Sequence, residues 1–229
     1  MAFAILKLSY NAPGDSSLIG GICGTGFFVN GQTAVTAYHV LNNETFRPNG
    51  GFRYASVWLL CRSGSILKIR EDSASLHPEI DSTIIRFRDR VPQAQTYEPL
   101  LGAVVNGMEV LGVGHVGNSM PSVQADWQGS ELVIRSANLT GAMTDVKGLV
   151  KRSVTFNVNA NDIKLRGVRG FELGFGSRVG MSGGPVVDNR TGQVLGMLSI
   201  GLPQDSEVKT ETFVVSIDEI WKHLAQHGT

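Results

Sequence analysis

Apolar residues in this 229-residue chain come in short runs, and Gly, Asn, Asp or Pro breaks them at close intervals; glycine alone accounts for 28 positions. That punctuation constrains the fold more than any other feature, because short runs between turn residues read as strands and leave no room for long helices. A first group comprises "AILKLSY" (4–10), "GTGFFVN" (24–30), "TAVTAYHV" (33–40), "ASVWLLC" (55–61), "SILKIR" (65–70) and "STIIRF" (82–87). A second comprises "EVLGVGH" (109–115), "SELVIRSA" (130–137), "SVTFNV" (153–158), "GPVVD" (184–188), "QVLGMLSI" (193–200) and "ETFVVSI" (211–217). "NGQ" at 30–32 reads as a hairpin turn between two of them. No strand–helix–strand alternation appears, which argues against a parallel α/β sheet.

One stretch predicts a helix. In "SIDEIWKHLAQHG" (216–228), Ser216 stands as a cap with Glu219 three residues on, and Ile217, Ile220, Trp221 and Leu224 repeat at helical spacing. Two groups of about six strands and a terminal helix imply an all-β protein of two packed antiparallel β-barrels with a C-terminal α-helix, since closure removes exposed edges. The expected divisions are a barrel over 1–98, a barrel over 99–215 and the helix over 216–229. The proline-containing segment 91–107 links the halves. Any site would lie in the cleft between the barrels.

Twenty acidic residues balance 20 basic ones. No nucleic acid or membrane partner is expected from such a balance, and no apolar run reaches the ~18 residues of a membrane helix. The opening "MAFAILKLSY" lacks the pattern of a secretory signal, and Cys23 and Cys61 make no disulfide framework. The expectation is a cytoplasmic protein with two reduced thiols. His77 and His115 are read as structural or surface residues without metal-ligand spacing. No metal and no cofactor is expected.

The chemistry concentrates in "VGMSGGPVVD" (179–188), where three glycines surround Ser182. Serine needs a base within hydrogen-bond reach, and the base needs an orienting group. G-x-S-x-G alone is a weak signal. The nucleophile elbow of α/β-hydrolases, and with it an esterase, requires a helix after the serine and the order Ser, acid, His. Here strand-like "PVVD" follows, and the later histidines, His223 and His227, fall in the terminal helix. Upstream, however, His39 stands in "TAYHV" and Asp81 opens "DSTII".

With "GTGFFV", "AVTAYHV", "DSTII", "GMSGGPVVD" and "GQVLGMLS" in order over 24–199, the chain resembles the chymotrypsin-fold, trypsin-like serine proteases, in the style of the small bacterial and HtrA-like branches. The resemblance implies a catalytic triad of His39, Asp81 and Ser182, with the first two on the first barrel and the third on the second. It implies an oxyanion hole made by the backbone N–H groups of Gly180 and Ser182. By family register, Gly176, Ser177 and Arg178 wall the substrate pocket, and Ser199, Ile200 and Gly201 pair with the substrate backbone as an added strand.

The chain also departs from the digestive pattern. Met181 stands where trypsin-type zymogens carry an aspartate, and Val40 where many carry a cysteine. With no acid in the position that selects Arg or Lys, the expected pocket is neutral. The function implied is a serine endopeptidase working through an acyl-enzyme on protein or peptide substrates, regulated inside the cell by selectivity, a partner or a fused domain. The alternative is a pseudoprotease that uses the scaffold as a binding module.

Overall fold

The computed structural model describes residues 2–12, 18–92, 94–100, 102–115, 121–139, 143–160, 163–199 and 212–226. The first half is an antiparallel sheet of β1 (Ala2–Tyr10), β2 (Ile19–Phe28), β3 (Thr33–Thr36), β4 (Tyr54–Cys61), β5 (Ile66–Ile69), β6 (Ala74–His77) and β7 (Ser82–Arg86). Its spatial order is β5-β4-β1-β2-β3-β7-β6. In the second half, β8 (Glu109–His115), β11 (Met143–Ala160), β12 (Ile163–Leu173), β13 (Pro185–Asp188), β14 (Val194–Leu198) and β15 (Thr212–Ser216) close into a six-stranded barrel. A ribbon of β9 (Ser122–Gln128) and β10 (Glu131–Asn138) stands apart from both sheets. The architecture is all-β, with α1 (Ile217–Gln226) at the C-terminal end.

Strand β1 is buried along both faces, unlike a half-solvated strand. Side chains alternate across a strand, so Phe3 and Ile5 enter the main core while Ala4, Leu6 and Leu8 face the opposite way. Leu132 and Ile134 of the ribbon cover that second face together with Trp58, and Trp127 meets Tyr10 edge-on at 5.2 Å. A ribbon from the second half of the sequence therefore seals the outer face of the first sheet.

The short turn before β3 follows the expected chemistry. The Gln32 N–H donates to Asn30 Oδ1 at 2.8 Å, and the Val29 N–H closes onto the Thr33 carbonyl at 3.0 Å. Helix α1 starts where Ser216 suggests, its hydroxyl oxygen accepting from the Asp218 N–H at 3.3 Å. Glu219 does not complete a capping box; it reaches Arg169 on β12 at 2.6 Å and so fastens the helix to the barrel. The two cysteines are free thiols on β2 and β4, the strands that flank β1. Strands separated by one neighbour lie ~9.6 Å apart, beyond disulfide reach.

Candidate active site

His39 lies just past the end of β3, on a turn in which the N–H groups of Val40 and Leu41 both donate to the Ala37 carbonyl. The Thr83 hydroxyl donates to the Leu41 carbonyl at 2.8 Å and ties that turn to β7. Asp81 immediately precedes β7. It ends a single 3-10 turn over Pro78–Ile80 and adopts left-handed backbone angles, φ 48° and ψ 46°. Aspartate tolerates this region better than most residues, and the conformation swings its carboxylate back toward His39.

The Asp81 side chain is fully buried, so its charge must be matched by donors. His39 Nδ1 lies 3.0 Å from both carboxylate oxygens, the His39 backbone N–H donates to Oδ1 at 3.1 Å, and the Ser199 hydroxyl donates to Oδ2 at 2.5 Å. The imidazole is thus held by ring and backbone at once. With Nδ1–H donating to the carboxylate, Nε2 carries the free lone pair.

Ser182 lies on the loop from β12 to β13 in the other half of the molecule. Upstream, the Met181 N–H donates to the Arg178 carbonyl at 3.1 Å and Gly180 has φ +91°. A left-handed φ at the third residue of a four-residue turn marks type II geometry. The peptide between Val179 and Gly180 is therefore flipped relative to a type I turn, which is what glycine permits there. Among the described residues, the N–H groups of Gly180 and Ser182 donate to no protein acceptor, while those of Met181, Gly183 and Gly184 are all engaged. Two unused donors beside a serine hydroxyl can receive an oxyanion.

Gly183, with φ +83°, packs tightly against the first half. A Cβ there would stand 2.1 Å from the Thr25 carbonyl oxygen and 2.3 Å from Thr36 Oγ1. Ser182 accepts from the Thr25 N–H at 2.9 Å through its own carbonyl. Its hydroxyl donates to the Ser199 carbonyl at 3.4 Å rather than to His39.

A family profile for the trypsin-like peptidase domain matches residues 24–197, about three quarters of the chain. The chain belongs to the trypsin-like peptidase domain family. Membership makes this trypsin-like peptidase a hydrolase of the serine endopeptidase class. Its fold resembles the active form of the Rv3671c protease from M. tuberculosis, with a TM-score of 0.62 and 18% identity over 99% of this chain and 81% of that one. It also resembles the HtrA-type protease AlgW solved with a decapeptide, with a TM-score of 0.65 and 12% identity over 99% of this chain but only 65% of that one. No curated protein matches it by sequence. Among the described residues of this peptidase, no helix is long and apolar enough to cross a membrane.

The other expected site residues divide. Gly176 and Ser177 are partly exposed and Arg178 is exposed; the Ser177 N–H donates to the buried Thr212 hydroxyl at 2.7 Å, fixing this loop to β15. Ser199, expected to pair with the substrate through its backbone, places its side-chain hydroxyl on Asp81. Ile200 and Gly201 lie outside the described residues. Thr25 and Thr36 have no place in the sequence reading. Both are fully buried, and the Thr36 hydroxyl donates to the Thr25 carbonyl at 2.6 Å. A threonine between glycines in an apolar strand, "GTG", is the signal that marks the first of them.

Proposed function

We propose that this peptidase cleaves peptide bonds through Ser182, His39 and Asp81 with an acyl-enzyme intermediate. The observation that carries the reading is the buried Asp81 carboxylate holding His39 at 3.0 Å, with Ser199 bonded both to that carboxylate and to the Ser182 hydroxyl of the opposite half. Ser182 rotates its hydroxyl from the Ser199 carbonyl to His39 Nε2 and attacks the scissile carbonyl as His39 takes the proton. The N–H groups of Gly180 and Ser182 receive the negative charge on the carbonyl oxygen. His39 then passes its proton to the leaving amine; water, deprotonated in turn by His39, attacks the acyl group, and His39 returns that proton to Ser182 as the acid product leaves. Asp81 fixes the imidazole tautomer and stabilises its cation throughout.

Gly176 and Ser177 carry no charge and Arg178, the third expected wall residue, is exposed to solvent, which favours uncharged side chains in the substrate. Met181 is buried and apolar, so no acid is there to pair with a freshly cut N-terminus. Restraint by substrate selectivity or by a partner takes the place of that switch. Burial raises the thiol of Cys23 to about 12 and that of Cys61 to about 11, which suits two inert thiols in a reducing, cytoplasmic setting.

Labelling with a fluorophosphonate probe tests the mechanism, because such probes react with an activated serine. Wild type should label, and Ser182→Ala and His39→Ala should not. A wild type that stays unlabelled overturns the proposal and leaves a scaffold that binds without cleaving.

A further inference from the structure

The sequence reading gives His77 no metal-ligating partner; the fold supplies two. His77 ends β6 and precedes the 3-10 turn over Pro78–Ile80, which carries Glu79 and ends at Asp81. His223 comes from α1, some 140 positions later in the chain. Glu79 Oε1 lies 3.4 Å from His77 Nδ1 and 3.6 Å from His223 Nδ1, and the two rings are 5.2 Å apart at 58°. One ligand atom from each of the three side chains falls within 4.8 Å of the others.

These spacings match a coordination shell. Zinc bonds to histidine nitrogen and carboxylate oxygen at ~2.0–2.2 Å, which puts the edge of a tetrahedron at about 3.3–3.5 Å. Two imidazoles and one carboxylate make a borderline-soft donor set, suited to zinc and its neighbours and unsuited to calcium or magnesium. Packing already fixes both sides of the cluster, because Ile80 of the turn and Ile217 and Ile220 of α1 share one buried core. His77 is almost fully buried and Glu79 is open to solvent, so a metal ion would reach the cluster from the carboxylate side.

We propose that His77, Glu79 and His223 form a divalent zinc-class site that staples α1 to the turn ending at Asp81. Bound metal would restrict the segment from which the Asp81 carboxylate departs, so this surface would couple the C-terminal helix to the acid of the active site. The site itself does not depend on the catalytic reading.

The test uses the full chain after treatment with a chelator. Zinc titrated by calorimetry should bind at one equivalent, and cobalt(II) in its place should give the visible absorption of a tetrahedral ion. At a hundredfold excess over the dissociation constant, Tm should rise by about 5–10 °C; calcium and magnesium should not move it. His223→Ala, at a mostly buried helix position, and Glu79→Gln, which keeps its volume, should each weaken zinc at least about tenfold. Amide exchange should slow over 77–81 and 217–226 when zinc is added. Absence of binding, or binding that survives both substitutions unchanged, would overturn the site and leave a plain His–Glu–His cluster. Zinc binding without slowed exchange at 77–81 would overturn the staple.

Discussion

The Thr25 hydroxyl, on the first sheet, donates to the Gly180 carbonyl at 2.7 Å, on the turn of the second barrel that precedes Ser182. The same oxygen accepts from the His115 N–H at 2.9 Å, so one buried side chain joins β2, β8 and the Ser182 loop. The Gly180 carbonyl and the Gly180 N–H belong to adjacent peptides, and fixing one limits the swing of the other. Thr25→Val keeps the shape and removes the bond. It should lower kcat by about 10–100-fold with little change in KM, as expected for a misaimed oxyanion donor. Thr25→Ser should restore most of the rate. Equal rates for wild type and the valine variant would show that the loop holds itself.

Asp81→Asn preserves the size of the side chain but presents a donor or a neutral oxygen to His39. It should reduce kcat by about 10⁴-fold at neutral pH by favouring the wrong tautomer. Ser199→Ala removes only the 2.5 Å bond to Asp81 Oδ2, while three contacts from His39 remain. It should cost far less, about tenfold. A Ser199→Ala variant as slow as Asp81→Asn would mean that the hydroxyl, not the imidazole, fixes the carboxylate.

Two left-handed glycines separate crowding from backbone cost. Gly183→Ala puts a methyl 2.1 Å from a backbone oxygen where the halves meet, whereas the methyl of Gly192→Ala, at φ +73°, meets nothing within 4 Å among the described residues. Gly192→Ala should lose about 1 kcal/mol. Gly183→Ala should lose about 3 kcal/mol or more. Denaturant unfolding of both variants gives the comparison; equal losses would place the cost in φ alone.

His115 is fully buried, and desolvation lowers its pKa to about 4. The unfolded chain binds a proton there near pH 6.5, so between 6.5 and 4 it holds more protons than the folded one. The folded state is at no disadvantage above pH 6.5 and loses stability as pH falls through that window, by about 3 kcal/mol once below it. His115→Phe should flatten this part of the stability–pH curve. Denaturant midpoints at pH 7 and pH 4.5 test it; an unchanged slope in the variant would assign the acid sensitivity elsewhere.

The all-β class and the terminal helix were legible because each rests on local chemistry: turn residues between apolar runs and a capped amphipathic stretch. The three proposed catalytic residues came instead from the resemblance, through the order of "TAYHV", "DSTII" and "GMSGG" along the chain. Strand β12 was harder to read. "KLRGVRG" carries three basic residues and two glycines, and Arg169, half exposed, pairs with Glu219 of α1. Strand β9, "SVQADWQ", alternates polar and apolar residues with Val123, Ala125 and Trp127 on the covered face, yet it falls outside the apolar runs from which strands are predicted.

The short strands and the candidate groups they carry can be read along the chain. Which distant groups meet depends on the tertiary fold. Side-chain period 2 made both faces of β1 apolar, but nothing local says that β9 and β10 cover one of them. Thr25 is an ordinary strand threonine until Gly180 arrives from 155 residues away. Ser199 joins Asp81 across 118 residues, and His223 joins Glu79 across an even longer span. Such contacts depend on how sheets twist and close, a property of the whole chain rather than of any stretch of it.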